Sequence, residues 1–140
     1  VRFWDSSAVL PLLVPDQRSN GLADLYRDDP ATAVWWGTPV EIASALARLE
    51  REDRLTEEGS TLAADLLQEA ARAWTEVPPV DRVRDQAVRL LRLHPLRAAD
   101  ALQLAAAIVL ADFDPKVLPF VTLDQQLGAA ARREGFEVLG

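Results

Sequence analysis

Four carboxylates in this sequence stand where charge is costly: Asp5, Glu41, Asp100 and Asp124. Asp5 ends the apolar run that opens the chain, and Asp124 ends the run Val117 to Leu123. Asp100 interrupts the nearly all-apolar stretch Ala98 to Leu110, and Glu41 lies in the opening turn of another apolar helix candidate. A lone ionised carboxylate in such surroundings costs several kcal/mol unless something neutralises it. Apart from Arg2, no lysine or arginine shares these runs. If the fold gathers the four, they either take up protons at raised pKa values or bind a hard cation. With oxygen donors and no histidine among them, Mg²⁺ or Mn²⁺ is the expected counter-charge. Such an ion lowers the pKa of bound water and steadies charge on a phosphate, which is phosphodiester hydrolysis.

Each acid also has a purely structural alternative. Glu41 stands where a capping-box glutamate would follow Thr38, Asp5 can cap the helix behind Ser6-Ser7, and Asp124 can cap the helix Gln125 to Glu134. Asp100, four residues into its helix, has no capping role, and its alternative is an ion pair with Arg97 three residues back. The hydroxyls of Ser6, Ser7 and Thr122 are placed to support carboxylates or metal-bound waters, though they also suit ordinary caps and strand positions. His94, the only histidine, precedes a proline in a loop and reads as structural or exposed. Trp4, Trp35, Trp36 and Trp74 read as core or interface rather than base-stacking platforms. Glycine-rich phosphate loops, zinc spacings and a Gly-x-Ser-x-Gly elbow are absent.

Alternating strands and helices must position these groups. Residues 2–5 read as a short strand, after which Ser6 or Ser7 caps a brief helix to Leu13. Residues 16–28 carry Leu22, Leu25 and Tyr26 at helical spacing, and Ala31 to Trp36 is a second strand by its β-branched and aromatic content. Thr38-Pro39-Val40-Glu41 predicts a helix start with a capping threonine, proline first and glutamate third, continuing to about Asp53. Thr56 caps a helix from Glu57 to about Thr75, and Val77-Pro78-Pro79-Val80 breaks the chain. Asp81 to Leu93 is amphipathic, with Val83, Ala87, Val88, Leu90 and Leu91 expected inward. Arg97 to Ala111 is a buried helix, and Val117 to Leu123 is a strand for which Pro119 favours an edge position. Gln125 to Glu134 is a helix closed by Gly135, and Phe136 to Leu139 is the last strand.

This alternation predicts an α/β fold with a mainly parallel sheet. In such sheets functional groups gather beyond the carboxyl ends of the strands. Asp5 and Asp124 each stand at that end, while Glu41 and Asp100 open helices that can face it. No internal repeat or linker interrupts residues 1–140, so one domain is expected.

Bulk composition agrees. The chain is 49% hydrophobic and 26% charged, as for a globular domain with a real core. No apolar stretch reaches the roughly 18–20 residues that span a bilayer, and no basic segment with a cleavable apolar run signals export. Absence of cysteine excludes disulfides, thiolate metal sites and cysteine catalysis, and fits a reducing cytoplasm. Methionine is absent too, so Val1 is not the expected encoded start. A net charge of −7 argues at first against a nucleic-acid partner. However, every positive side chain except Lys116 is arginine, the residue suited to bidentate phosphate contact. Arg48, Arg51 and Arg54 form one group, and Arg82, Arg84, Arg89, Arg92 and Arg97 another. The plainer reading of any one of them is a solvated helix face.

Phe3-Trp4-Asp5-Ser6-Ser7-Ala8, a glutamate near position 40, Leu96-Arg97-Ala98-Ala99-Asp100-Ala101-Leu102-Gln103-Leu104-Ala105 and Val121-Thr122-Leu123-Asp124 together resemble the PIN-domain nucleases. Within that family the sequence is most similar to the VapC-like toxins of type II toxin–antitoxin modules. The likeness spans essentially the whole chain, and the segment around Asp100 is its most specific part. It implies a three-layer α/β/α sandwich and a Mg²⁺- or Mn²⁺-dependent endoribonuclease. It also implies an acidic metal-binding quartet of Asp5, Glu41, Asp100 and Asp124, supported by Ser6 and Thr122. The partners implied are an RNA substrate, a cognate antitoxin that covers the site and a second copy in a homodimer, all in the cytoplasm. Two rival readings remain. One is a catalytically silent PIN-like module that binds RNA or protein. The other is a phospho-accepting receiver or haloacid-type enzyme. The haloacid pattern wants aspartate where Ser7 stands, and a receiver wants a lysine after a late strand, whereas Lys116 precedes one.

Overall fold

Successive residues of a strand face opposite ways, and here both faces are apolar. In β1 (Arg2–Trp4), Phe3 is buried on one side of the sheet and Trp4 on the other. Ala33 and Val34 of β2 (Thr32–Trp35) divide in the same way, as do Phe120 and Val121 of β4 (Phe120–Val121). Strands buried on both faces belong to parallel sheets covered by helices on each side. The computed structural model, which describes residues 1–15 and 19–140, has this form. With β3 (Thr75–Val77) and β5 (Val138–Leu139) the sheet is five-stranded and all-parallel, in the order β3-β2-β1-β4-β5.

Helices α1 (Ser6–Leu13), α2 (Ser19–Asp28), α3 (Thr38–Arg51) and α4 (Glu57–Ala71) cover the Trp4 face, packing Ala8, Val9, Leu22, Ile42, Leu46 and Ala63 against it. Helices α5 (Asp81–Leu93), α6 (Ala98–Leu110) and α7 (Gln125–Arg133) cover the Phe3 face. Ala101, Ala105, Ala106 and Ala107 let α6 lie deep in that layer. The architecture is the expected three-layer α/β/α sandwich of PIN type. Among the described residues no helix is long and apolar enough to cross a membrane.

Several local expectations change. The first helix is capped by Asp5 rather than by Ser6 or Ser7. Helix α3 is opened by Gly37, not Thr38, and a Cβ at Gly37 would stand 2.6 Å from the Trp35 indole nitrogen. Glycine is therefore what lets the chain turn over Trp35 into the helix. Helix α4 stops at Ala71, before residues 75–77 pair with β2. Helix α5 has the expected bounds, but Val88 is 49% exposed and Leu91 42%. Only the stripe Val83-Ala87-Leu90 faces α6, and a residue one step along lies about 100° round the helix.

The strand expected over Val117 to Leu123 shrinks to two residues behind a 3₁₀ turn, Pro115–Val117. It is interior rather than at an edge, lying between β1 and β5. Pro119 is tolerated because it sits just before the strand and offers only its carbonyl, which accepts from the Phe3 N–H at 2.9 Å. Residues 16–18, where the second helix was expected to begin, lie outside the described residues.

Candidate metal centre

The strand order runs from β1 through β2 to β3 in one direction and through β4 to β5 in the other. Where an α/β sheet reverses its order, a crevice opens beyond the carboxyl ends of the two central strands. Asp5 directly follows β1, and Asp124 follows β4 after Thr122 and Leu123. Helix α3 carries Glu41 to the same edge, and α6 carries Asp100. All four line one cleft of about 600 Å³, together with Ser6, Ser7 and Arg48. Every acid singled out in the sequence is thus brought to one place.

Asp5 is the most enclosed, at 3% exposure. Its Oδ2 accepts from the Thr122 hydroxyl at 2.8 Å, from the Ser7 hydroxyl and from the Ser7 N–H at 3.3 Å. The Ser7 Oγ in turn accepts from the Leu123 N–H at 3.0 Å, so it ties the start of α1 to the segment that carries Asp124. Burial pushes the Asp5 carboxyl above its ordinary range, the Ser7 and Thr122 donors hold it back, and the charge of Asp100 raises it again.

Glu41 is held from two sides. The Ser6 hydroxyl donates to Oε1 at 3.2 Å, and Gln103 Nε2 donates to Oε2 at 2.8 Å. Glu41 makes no capping box, because with Gly37 as the cap it is the fourth helical residue. Thr38, fully buried, instead accepts from Gln103 Nε2 at 3.0 Å. Burial raises the Glu41 carboxyl, Gln103 lowers it, and Asp5 and Asp100 raise it further.

Asp100 corrects one expectation. The helix begins at Ala98 with Arg97 as its cap, so Asp100 is the third helical residue, where a carboxylate can reach back to the cap N–H. The Arg97 backbone and guanidinium do favour its charged form, yet burial and the neighbouring Asp124 outweigh them and its pKa is raised. Asp124 caps α7, its Oδ1 accepting from the Leu127 N–H at 2.9 Å, and lines the cleft as well. Capping and membership of the site coexist at Asp5 and at Asp124.

The four acids therefore press on one another: Asp5 feels Asp100, Glu41 feels both, and Asp100 feels Asp124. Among the described residues none of them is in a salt bridge. Oxygen donors with unneutralised mutual repulsion suit a hard divalent cation in kind. Among the described residues no three acidic or histidine side chains are already grouped tightly enough to hold one directly.

Gln103 was not singled out in the sequence, although an amide amid leucine and alanine, three residues after Asp100, was a visible signal. It is fully buried, and its Oε1 has no hydrogen-bond partner. An orphaned acceptor of this kind costs about 1–3 kcal/mol. His94 is structural, as expected, but buried rather than exposed: its Nε2 lies 2.8 Å from Glu134 Oε2. Trp4 and Trp35 are core, whereas Trp36 is exposed. Of the arginines, Arg48 lines the cleft and Arg89 pairs with Glu134, while Arg82 lies over Phe113. A second cleft of about 400 Å³, walled by Trp4, Val9, Leu12, Tyr26, Leu66 and Trp74, is apolar and stands apart from the acids.

No protein-family model matches the sequence. Over 140 residues the chain is 32% identical to Ribonuclease VapC45 and to Ribonuclease VapC49, both from Mycobacterium tuberculosis. The alignment covers 97% of this chain and 92% of each relative. Among solved structures, FitAcB from Neisseria gonorrhoeae superposes with a TM-score of 0.69 at 14% identity, covering 100% of this chain and 97% of that one. A toxin–antitoxin complex from Klebsiella pneumoniae matches at 0.67 and 15%, with the same coverage. PAE2754 from Pyrobaculum aerophilum matches at 0.63 and 23%, covering 99% of this chain and 83% of that one. At these identities the three structures speak to the fold.

Proposed function

Because the chain belongs to the VapC ribonuclease family, we propose that it is a divalent-cation-dependent endoribonuclease and the toxin of a toxin–antitoxin pair. The observation that carries this reading is the convergence of Asp5, Glu41, Asp100 and Asp124 on one cleft without a neutralising salt bridge among the described residues. Asp5, Asp100 and Glu41 would hold Mg²⁺ or Mn²⁺, directly or through water. The ion, when bound, supplies the charge that makes water a stronger nucleophile and offsets charge on the phosphate.

The chain's own groups do the rest. Thr122 and Ser7 keep the Asp5 carboxylate aligned through Oδ2 and leave Oδ1 toward Ser6. Asp124, with Oδ1 committed to its helix, has Oδ2 to orient the attacking water. Arg48 on the cleft wall suits a backbone phosphate of the RNA, a contact that positions without reading sequence. Net charge of −7 leaves this local arginine, not the whole surface, to attract the substrate. The partner proposed is an antitoxin, in keeping with the toxin–antitoxin complex from Klebsiella that shares the fold; it would cover the cleft and offer the acids a cationic group. A homodimer working in the cytoplasm completes the proposal.

Purified chain should cleave RNA with Mn²⁺ or Mg²⁺, and excess EDTA should stop it; full cleavage in EDTA would sink the reading. A catalytically silent RNA- or protein-binding module is favoured by one observation, that among the described residues no three acids are already grouped around a point. Calorimetry with Mn²⁺ on wild type and Asp100→Asn separates the two. Failure to bind at millimolar metal selects the silent module.

A further inference from the structure

Gln103 spends both amide hydrogens on the site and receives nothing in return. Its Nε2 donates to Glu41 Oε2 at 2.8 Å and to Thr38 Oγ1 at 3.0 Å, while its Oε1 is buried without a partner. The side chain is fully buried on α6, where an unbranched apolar residue of the same length would fill the space with no orphaned atom of its own, exchanging the unpartnered Oε1 for a Thr38 hydroxyl that loses its donor. Turning the amide over would point Oε1 at the Glu41 carboxylate, so the orientation is set by that charge.

The bridge joins the two helices that carry site acids on opposite walls of the cleft: Glu41 and Thr38 on α3, Gln103 and Asp100 on α6. On its other oxygen, Glu41 accepts from Ser6, whose hydroxyl also points to Asp5 Oδ1 at 3.4 Å. Glu41 is thus the acid whose place depends on side-chain donors rather than on a helix cap. From this juxtaposition we infer that Gln103 is a positioning residue, fixing the Glu41 carboxylate at the cleft for cation uptake. The inference rests on the metal-dependent reading proposed above. An amide serving only to tie α3 to α6 would be free to satisfy its own acceptor; this one is arranged around the carboxylate instead.

The test compares wild type, Gln103→Met and Thr38→Val by Mn²⁺ calorimetry, by melting without metal, and by RNA cleavage across Mn²⁺ concentration. Gln103→Met keeps length and packing but has no donor. It should melt near the wild-type temperature, bind Mn²⁺ about 10–100-fold more weakly, and regain most of its maximal rate at saturating metal. Thr38→Val removes the second anchor of the amide and should shift affinity in the same direction by less. If Gln103→Met does not fold, the Thr38→Val shift carries the test. Wild-type Mn²⁺ affinity in both variants overturns the bridge alone, as does loss of maximal rate at unchanged affinity. A wild-type chain that takes up no Mn²⁺ overturns the metal reading and the bridge with it.

Discussion

Two clusters of partly buried charge meet opposite fates in this molecule. Where the end of α5 meets the end of α7, Glu134 sits between Arg89 and His94. Burial alone would raise its pKa, but hydrogen bonds from Arg89 and His94 and the charge of Arg89 carry it below the ordinary glutamate range. In the cleft at the sheet's carboxyl edge, Asp5, Glu41 and Asp100 are buried beside other acids, and all three are raised. The first cluster supplies its counter-charge, Arg89, from within the chain and strengthens the fold. The second leaves acids to repel one another and weakens it. A chain bears such a cost where the missing charge comes from outside.

The sharpest way to break this contrast is to neutralise an acid on each side. Asp5→Asn or Asp100→Asn should lower RNA cleavage by about 100-fold or more, beyond the 10–100-fold expected for supporting residues. Without added metal these variants should melt at the wild-type temperature or above, since a repulsive buried charge has gone. A clear fall in melting temperature would mean that the acids are structural. Thr122→Val, which removes a donor to Asp5 and leaves the charge, should cost about 10–100-fold in activity, read in the same cleavage assay. Glu134→Gln should do the reverse. Activity should persist, and stability should fall by about 1–2 kcal/mol because Arg89 and His94 lose a charged acceptor, a loss trimmed by the solvent around Arg89. In a chain of this size that is a drop of several degrees. Unchanged melting would show that the paired cluster contributes little.

The contrast also explains what could be read before the fold was known. The four site acids were legible because a carboxylate in an apolar run is an anomaly that demands a partner. The bounds of α5 were legible from its polar and apolar alternation and from His94-Pro95 after it. What stayed hidden depended on neighbours far along the chain. Val88 and Leu91 look like core until α6 is seen to take only the adjacent stripe of α5. Thr38 looks like a cap until Gln103, 65 residues later, is found donating to it. In the sequence, capping and membership of the site look like alternatives for Asp5 and Asp124, yet one oxygen of each serves the cap while the side chain still lines the cleft. Strand lengths shrank for a similar reason, since apolar runs mark burial, and only two to four residues of each pair with a neighbour.

The smallest effect expected is in the pH dependence of stability, and it divides between the two clusters. For Asp5, Glu41 and Asp100 the folded-state pKa lies above the unfolded value, so their contribution is full below that value and is lost as pH rises through the folded pKa. For Glu134 the shift is downward, so its contribution is present above its ordinary 4.5 and is lost as pH falls through the folded value. Metal-free chain should therefore gain melting temperature as pH falls from neutral toward the ordinary carboxylate range, then lose stability in stronger acid. The Asp5→Asn/Asp100→Asn double variant should flatten the upper limb and leave the lower one, and Glu134→Gln should soften the lower limb alone. Saturating Mn²⁺ should flatten the upper limb without any mutation, because a cation in the cleft removes the reason to take up protons. If the upper limb survives in the double variant, the repulsion that sets the cleft apart lies in other carboxylates.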